Sequence, residues 1–162
     1  MKILLNDRRD KTIGSTRIWI YNLKDWIKKL GYEVTLNDWN HYQEYDVVIF
    51  GKGEPVQVFK KAKKENPDLV CGKIQSHRDQ KYLEETDFFI VGSIEERDNF
   101  LENCKNTFIV PLIETYFDKT KVHKDKEPLI LGYHGNNIHL RQFRPNIKPA
   151  LEKLSEKYSL KL

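Results

Sequence analysis

Short apolar runs, each followed by a turn and then a stretch of helical period, recur along this chain, and that alternation leaves few folds open. The clearest are Ile3-Leu4-Leu5, Val47-Val48-Ile49-Phe50 and Phe88 to Val91, with weaker ones at Leu69 to Ile74 and Thr107 to Val110. They lack the every-other-residue pattern of a strand with one wet face, so they read as strands buried on both faces. Between them, Trp19, Leu23, Trp26, Ile27 and Leu30 recur at helical spacing, and so do Val56, Phe59 and Ala62. Strands alternating with helices give a mainly parallel sheet with helices on both faces. The expected class is α/β.

Local signals set the boundaries. Gly14-Ser15-Thr16-Arg17 opens the first helix with a hydroxyl cap, and Gly31 closes it. Glu33 to Leu36 is the second strand, and the aromatic, polar stretch from Asn37 to Tyr45 reads as a loop. A helix is expected from about Glu54, closed by Asn66-Pro67. Another follows Ser93, which with Glu96 makes a capping box. Lys119 to Glu127 (KTKVHKDKE) is charged and linker-like. Beyond it, Leu129-Ile130-Leu131, the turn from Gly132 to Asn137, and an amphipathic helix restart the pattern. Pro149 belongs in the first turn of that helix. The expected organisation is a Rossmann-like domain over 1–118, a linker over 119–127, and over 128–162 the start of a second, truncated Rossmann-like domain.

Composition narrows the function classes. Of 162 residues, 39% are hydrophobic, enough for a packed core. The net charge of +4 is spread over lysines such as Lys60, Lys61, Lys63 and Lys64, which read as a solvated helix face. No basic stripe or known module calls for nucleic acid. Cys71, Cys104 and five scattered histidines suit neither a disulfide framework nor a metal site. The early Asp7 argues against a signal peptide, and no run approaches the ~20 apolar residues of a membrane span, so a reducing cytoplasm is the expected place. Trp19 and Trp26, among Arg17, Lys24, Lys28 and Lys29, fall on the apolar stripe. Core packing is their expected role, with a membrane-surface helix as the alternative.

In such sheets ligands bind at the carboxyl ends of the strands, where strand order reverses. That rule picks out Asn6 to Arg17, Gly51 to Glu54, Gln75 to Asp79 and Gly92 to Glu95. Gly14, Ser15 and Arg17 offer N–H groups, a hydroxyl and a guanidinium to an anion, with an ordinary N-cap as the competing reading. His77, beside Arg78 and Asp79, is the candidate catalytic or sugar-binding residue, against a plain surface histidine. Glu54 and Glu114 are weaker candidates. The turn Gly132 to Asn137 would present N–H groups to a diphosphate, although it also suits a plain strand-to-helix turn. No P-loop or GxGxxG follows the first strand.

Together these segments resemble the retaining glycosyltransferases of two Rossmann domains, the GT-B fold. The resemblance rests on Gly14 to Arg17 with Gly31-Tyr32-Glu33-Val34-Thr35, and on Tyr45 to Phe50. It rests further on Thr86 to Glu96, Phe108 to Glu114, and Ile130 to Asn136. It covers nearly the whole chain, as a pattern of short motifs. It implies sugar transfer in a cleft between two domains, from a nucleotide-sugar to a glycan or lipid-linked acceptor. No metal or other cofactor is implied. Catalysis would fall to His77, acceptor or phosphate binding to Gly14, Ser15, Arg17, Arg78 and Ser93, and donor binding to Gly132, His134, Gly135 and Asn136.

The implied partners are those substrates, no nucleic acid, a peripheral contact with the inner face of the membrane, and the remainder of the second domain or a partner subunit. The region of the family's later glutamate pair falls beyond Leu162, so this chain alone is expected to be inactive. The alternative is a non-catalytic α/β binding module or a remnant of a transferase. A signalling receiver would want acidic residues after the first strand and an aspartate ending the third. That strand ends Phe50-Gly51-Lys52-Gly53.

Overall fold

A computed structural model describes residues 1–74, 82–101, 106–111, 122, 128–132, 141, 145 and 147–161. The chain forms two compact units, Met1–Asp118 and Lys119–Leu162. Each is described by itself.

The first unit is a six-stranded sheet of β1 (Lys2–Asn6), β2 (Glu33–Leu36), β3 (Val47–Phe50), β4 (Val70–Ile74), β5 (Phe88–Val91) and β6 (Thr107–Ile109). The order is β2-β1-β3-β4-β5-β6 and every pair is parallel. This is the α/β class expected, in the flavodoxin-like order with one strand outside β1. The dinucleotide-binding order 3-2-1-4-5-6 places two there. Register sets Ile3 between Val34 and Val47, and Leu5 between Leu36 and Ile49. Successive residues therefore feed opposite cores.

On one face Leu4, Val48, Phe50, Cys71 and Phe89 pack with Tyr42, Phe59 and Tyr82. The Phe50 and Phe59 rings lie 4.1 Å apart at their centroids. On the other face Ile3, Leu5, Ile49, Ile74 and Ile90 pack with Trp19 and Ile20. Each fully buried side chain of this size stabilises by about 1.5–3 kcal/mol. The unbroken apolar runs reflect that two-sided burial.

Between β1 and β2 the chain is helical without a break: α1 (Gly14–Thr16), a π-helical segment Arg17–Asn22, and α2 (Leu23–Lys29). Gly31, at φ 87°, ends it in a Schellman arrangement, with Tyr32 N–H bonded to Ile27 O and Gly31 N–H to Lys28 O. Wide π turns rotate the apolar stripe away from strict α spacing. Trp19 is buried, and Leu23 and Ile27 pack on the core, but Trp26 and Leu30 stand exposed. Core packing is the role expected of the two tryptophans: it holds for Trp19, and the structure corrects it for Trp26.

α3 (Val56–Glu65) buries Val58, Phe59 and Ala62. It starts two residues later than about Glu54, because Pro55 is its N-cap and Glu54 turns inward. In the stretch read as a loop, Tyr42–Glu44 form a 3-10 turn, with Tyr42 and Tyr45 in the core. α4 (Ile94–Leu101) carries the expected capping box: Glu96 N–H donates to Ser93 Oγ at 3.2 Å, and Gly92 N–H to Glu96 Oε2 at 2.8 Å. In the second unit β7 (Leu129–Ile130), α5 (Lys148–Ser155) and β8 (Leu160–Lys161) follow in order, and the two strands are parallel. Ile147 is the N-cap of α5 and Pro149 lies in its first turn. The turn expected around Ile138 to Phe143 falls outside the described residues, Arg141 apart.

Candidate anion site

The strand order reverses between β1 and β3, and in such sheets the carboxyl ends at that point are where a ligand crevice lies. The residues following β1 fill it. Asp7 is 2% exposed. Its Oδ1 accepts from the Arg9 backbone N–H and from Arg9 Nε, each at 3.0 Å. Its Oδ2 accepts from Arg9 Nη2 at 2.6 Å and from the Thr16 hydroxyl at 3.3 Å. A fork of this kind adds geometric specificity to charge. β3 closes the floor: a Cβ on Gly51 would overlap the Asp7 carboxylate, and one on Gly53 would stand 3.0 Å from the Arg9 side chain.

Arg8 serves a second buried carboxylate. Its backbone N–H donates to Glu54 Oε1 at 2.7 Å, and its Nε lies 3.3 Å from Oε2. Burial pushes the Glu54 carboxyl above the usual carboxylate range, while the Arg8 N–H and guanidinium pull it back. Two consecutive arginines thus neutralise two buried carboxylates.

Lys73, 1% exposed, lies beneath. Its ammonium donates to Gly51 O at 2.8 Å, Glu54 O at 3.3 Å and Lys52 O at 3.4 Å, and sits 4.7 Å from the Tyr82 ring centroid. The Tyr82 hydroxyl donates to Glu54 O at 3.0 Å. These bonds hold the loop from Gly51 to Glu54 against the sheet.

Gly14, Ser15 and Arg17 come together at the opposite lip. Arg9 Nη1 reaches Ser15 Oγ at 3.4 Å, and the Arg17 guanidinium folds back to within 3.8 Å of where a Gly14 Cβ would stand. Over β2, Asp38 accepts from the Asn40 N–H and the Tyr45 hydroxyl, and pairs with His41 Nδ1 at 3.0 Å. Burial works against the Asp38 charge, but those partners outweigh it and hold its carboxyl below the usual range.

Ser93 does not join this group. Its hydroxyl caps α4, and β5 lies three strands from β1, roughly 14 Å at the usual strand spacing. Gly132 ends β7 in the second unit, exposed. His77, Arg78, Glu114, His134, Gly135 and Asn136 lie outside the described residues. Among the described residues no cluster suited to a metal ion is present, and no helix is long and apolar enough to cross a membrane. Sequence reasoning passed over Asp7, Arg8, Arg9 and Lys73. The available signal was charge next to, or inside, strands buried on both faces.

No family model and no curated protein matches the chain. Solved structures do. One is a pilus assembly-related protein from Burkholderia pseudomallei, 14% identical over 64% of this chain and 91% of its own, at a TM-score of 0.41. Another is RcsB from Salmonella enterica serovar Typhimurium bound to promoter rprA, 11% identical over 65% and 62%, at 0.46. A third is a DNA-binding response regulator of the LuxR family from Staphylococcus aureus, 16% identical over 62% and 95%, at 0.40. Likeness at this level concerns the fold alone.

The glycosyltransferase expectation is corrected. None of the three structures named is a glycosyltransferase, and the strand order is not that of a dinucleotide-binding half. Nucleotide-sugar and glycan or lipid-linked acceptor are withdrawn as partners with it, and so are the donor roles of Gly132, His134, Gly135 and Asn136. The exclusion of nucleic acid is withdrawn with them.

Proposed function

We propose that the first unit is a regulatory α/β module that responds to a small anionic ligand, a phosphate or carboxylate, in the crevice between β1 and β3. One observation carries this reading: the Arg9 and Arg17 guanidinium groups converge on Gly14 and Ser15 at the reversal in strand order. An anion there would meet Nη1 of Arg9, the Arg17 guanidinium and the Ser15 hydroxyl. Arg9 would share its fork between the ligand and Asp7, so occupancy would be felt at Asp7, Gly51 and Thr16. The π-helical segment that begins at Arg17 supports the reading, since such segments recur at functional sites. Gly51 stands where a receiver would carry its aspartate, so the response is assigned to binding rather than to phosphorylation at that position. We place the chain in the cytoplasm.

Amide chemical-shift titration with inorganic phosphate and with pyrophosphate tests the assignment. Shifts confined to Asp7 to Arg17 and Gly51 to Glu54 are expected. Absence of any saturable shift in the native chain would reject it.

A further inference from the structure

The last turn of α2 carries a surface that the crevice does not explain. Trp26 is 53% exposed, Leu30 74% and Tyr32 43%. Trp26 and Leu30 are four residues apart and share a helix flank, and the Gly31 turn brings Tyr32 beside them. Lys29 Nζ lies 4.6 Å from the Trp26 ring centroid. Lys24 pairs with Asp25 at 3.4 Å, whereas Lys28 and Lys29 make no ion pair among the described residues. An aromatic and aliphatic tip is therefore edged by Lys29, with Lys28 farther round the helix and Asp25 between the two lysines.

We propose that this turn is a contact site for an anionic lipid bilayer. Three arguments select that occupant. Tryptophan and tyrosine, apolar with one polar atom, favour the headgroup level. Lysine stems can lie along the apolar tip while their ammonium groups reach lipid phosphates. The exposed side chains offer at most a few hundred Å², well short of the ~800 Å² per partner of a stable protein interface. Shallow insertion assisted by charge requires no such area. The contact is peripheral and reversible, and goes beyond the anion-binding reading without depending on it.

Flotation of the full chain with vesicles tests it, using equal parts phosphatidylglycerol and phosphatidylcholine against phosphatidylcholine alone. Binding to the anionic vesicles is expected, weakened by salt, with Trp26 fluorescence quenched by brominated lipid. The paired substitutions Trp26→Ser with Leu30→Ser, and Lys28→Glu with Lys29→Glu, should each weaken partition about tenfold. All four side chains are exposed, so an unchanged thermal midpoint is expected to accompany the loss. Equal binding to both vesicle types, or binding that survives the Trp26 and Leu30 substitutions, would overturn the proposal. So would self-association of the native chain that those substitutions abolish, since the surface would then belong to a protein contact.

Discussion

The Asp7 carboxylate is gripped by the guanidinium of Arg9, two residues further along, through Nε to Oδ1 at 3.0 Å and Nη2 to Oδ2 at 2.6 Å. The Asp7 side chain is fully buried and that of Arg9 is 26% exposed, so the pair joins the floor of the crevice to its mouth. Removing one partner of such a pair leaves a buried charge uncompensated, which costs far more than the pair contributes net. The remaining contacts around the crevice follow from accommodating this pair.

Gly51→Ala places a methyl group on the Asp7 carboxylate. Overpacking of this kind costs about 1–3 kcal/mol. Urea denaturation should show a lowered midpoint with an unchanged slope, and Gly51→Ala should cost less in an Asp7→Ala background, which lacks the overlapping group, than in the native chain.

Lys73→Met keeps the length of the side chain but removes the donor to Gly51 O and Glu54 O. The expected loss is about 1–3 kcal/mol, the cost of leaving buried acceptors unsatisfied. Hydrogen exchange should quicken at Gly51 to Glu54 more than in β1. Uniform quickening across the sheet would show that the lysine serves general packing instead.

Glu54 gives stability a pH signature. Its carboxyl is raised above the ordinary 4.5, chiefly by burial. The folded protein therefore favours the protonated form: the contribution is fully present below the ordinary carboxyl range and is lost as pH rises through the folded value. Glu54→Gln is fixed in the neutral state. Its stability relative to the native chain should improve as pH rises above the ordinary carboxyl range. A constant difference across that rise would contradict the assignment.

Cys71 is fully buried in β4, and burial pushes its thiol up to about 12. In a Cys104→Ser background, a water-soluble disulfide reagent should leave Cys71 untouched in native protein and react fully in denaturant. Rapid labelling without denaturant would show that β4 opens.

The sheet was legible because its inner strands β1, β3 and β5 are buried on both faces and so appear as unbroken apolar runs. Gly31 could be placed because a Schellman turn demands positive φ there. The capping box at Ser93 was legible because all its partners lie within four residues. The π turns after Arg17 were not, since nothing local distinguishes them from α-helix, and Trp26 was assigned to the core on strict α spacing. Half of the crevice was legible, at Gly14, Ser15 and Arg17. The other half depends on Asp7 meeting Gly51 and Arg8 meeting Glu54, contacts made by strand order rather than by neighbouring residues. The glycosyltransferase resemblance failed on the same ground: strand, glycine turn and capped helix are shared by many doubly wound sheets, and fold does not carry function.

Titration of the native chain and of Arg17→Ala with inorganic phosphate, followed by amide shifts, tests the central claim most directly. The account predicts saturable shifts at Asp7 to Arg17 in the native protein, and at least tenfold weaker binding in Arg17→Ala with the fold intact. Native-like saturation in the variant, or no saturation in either, would contradict it.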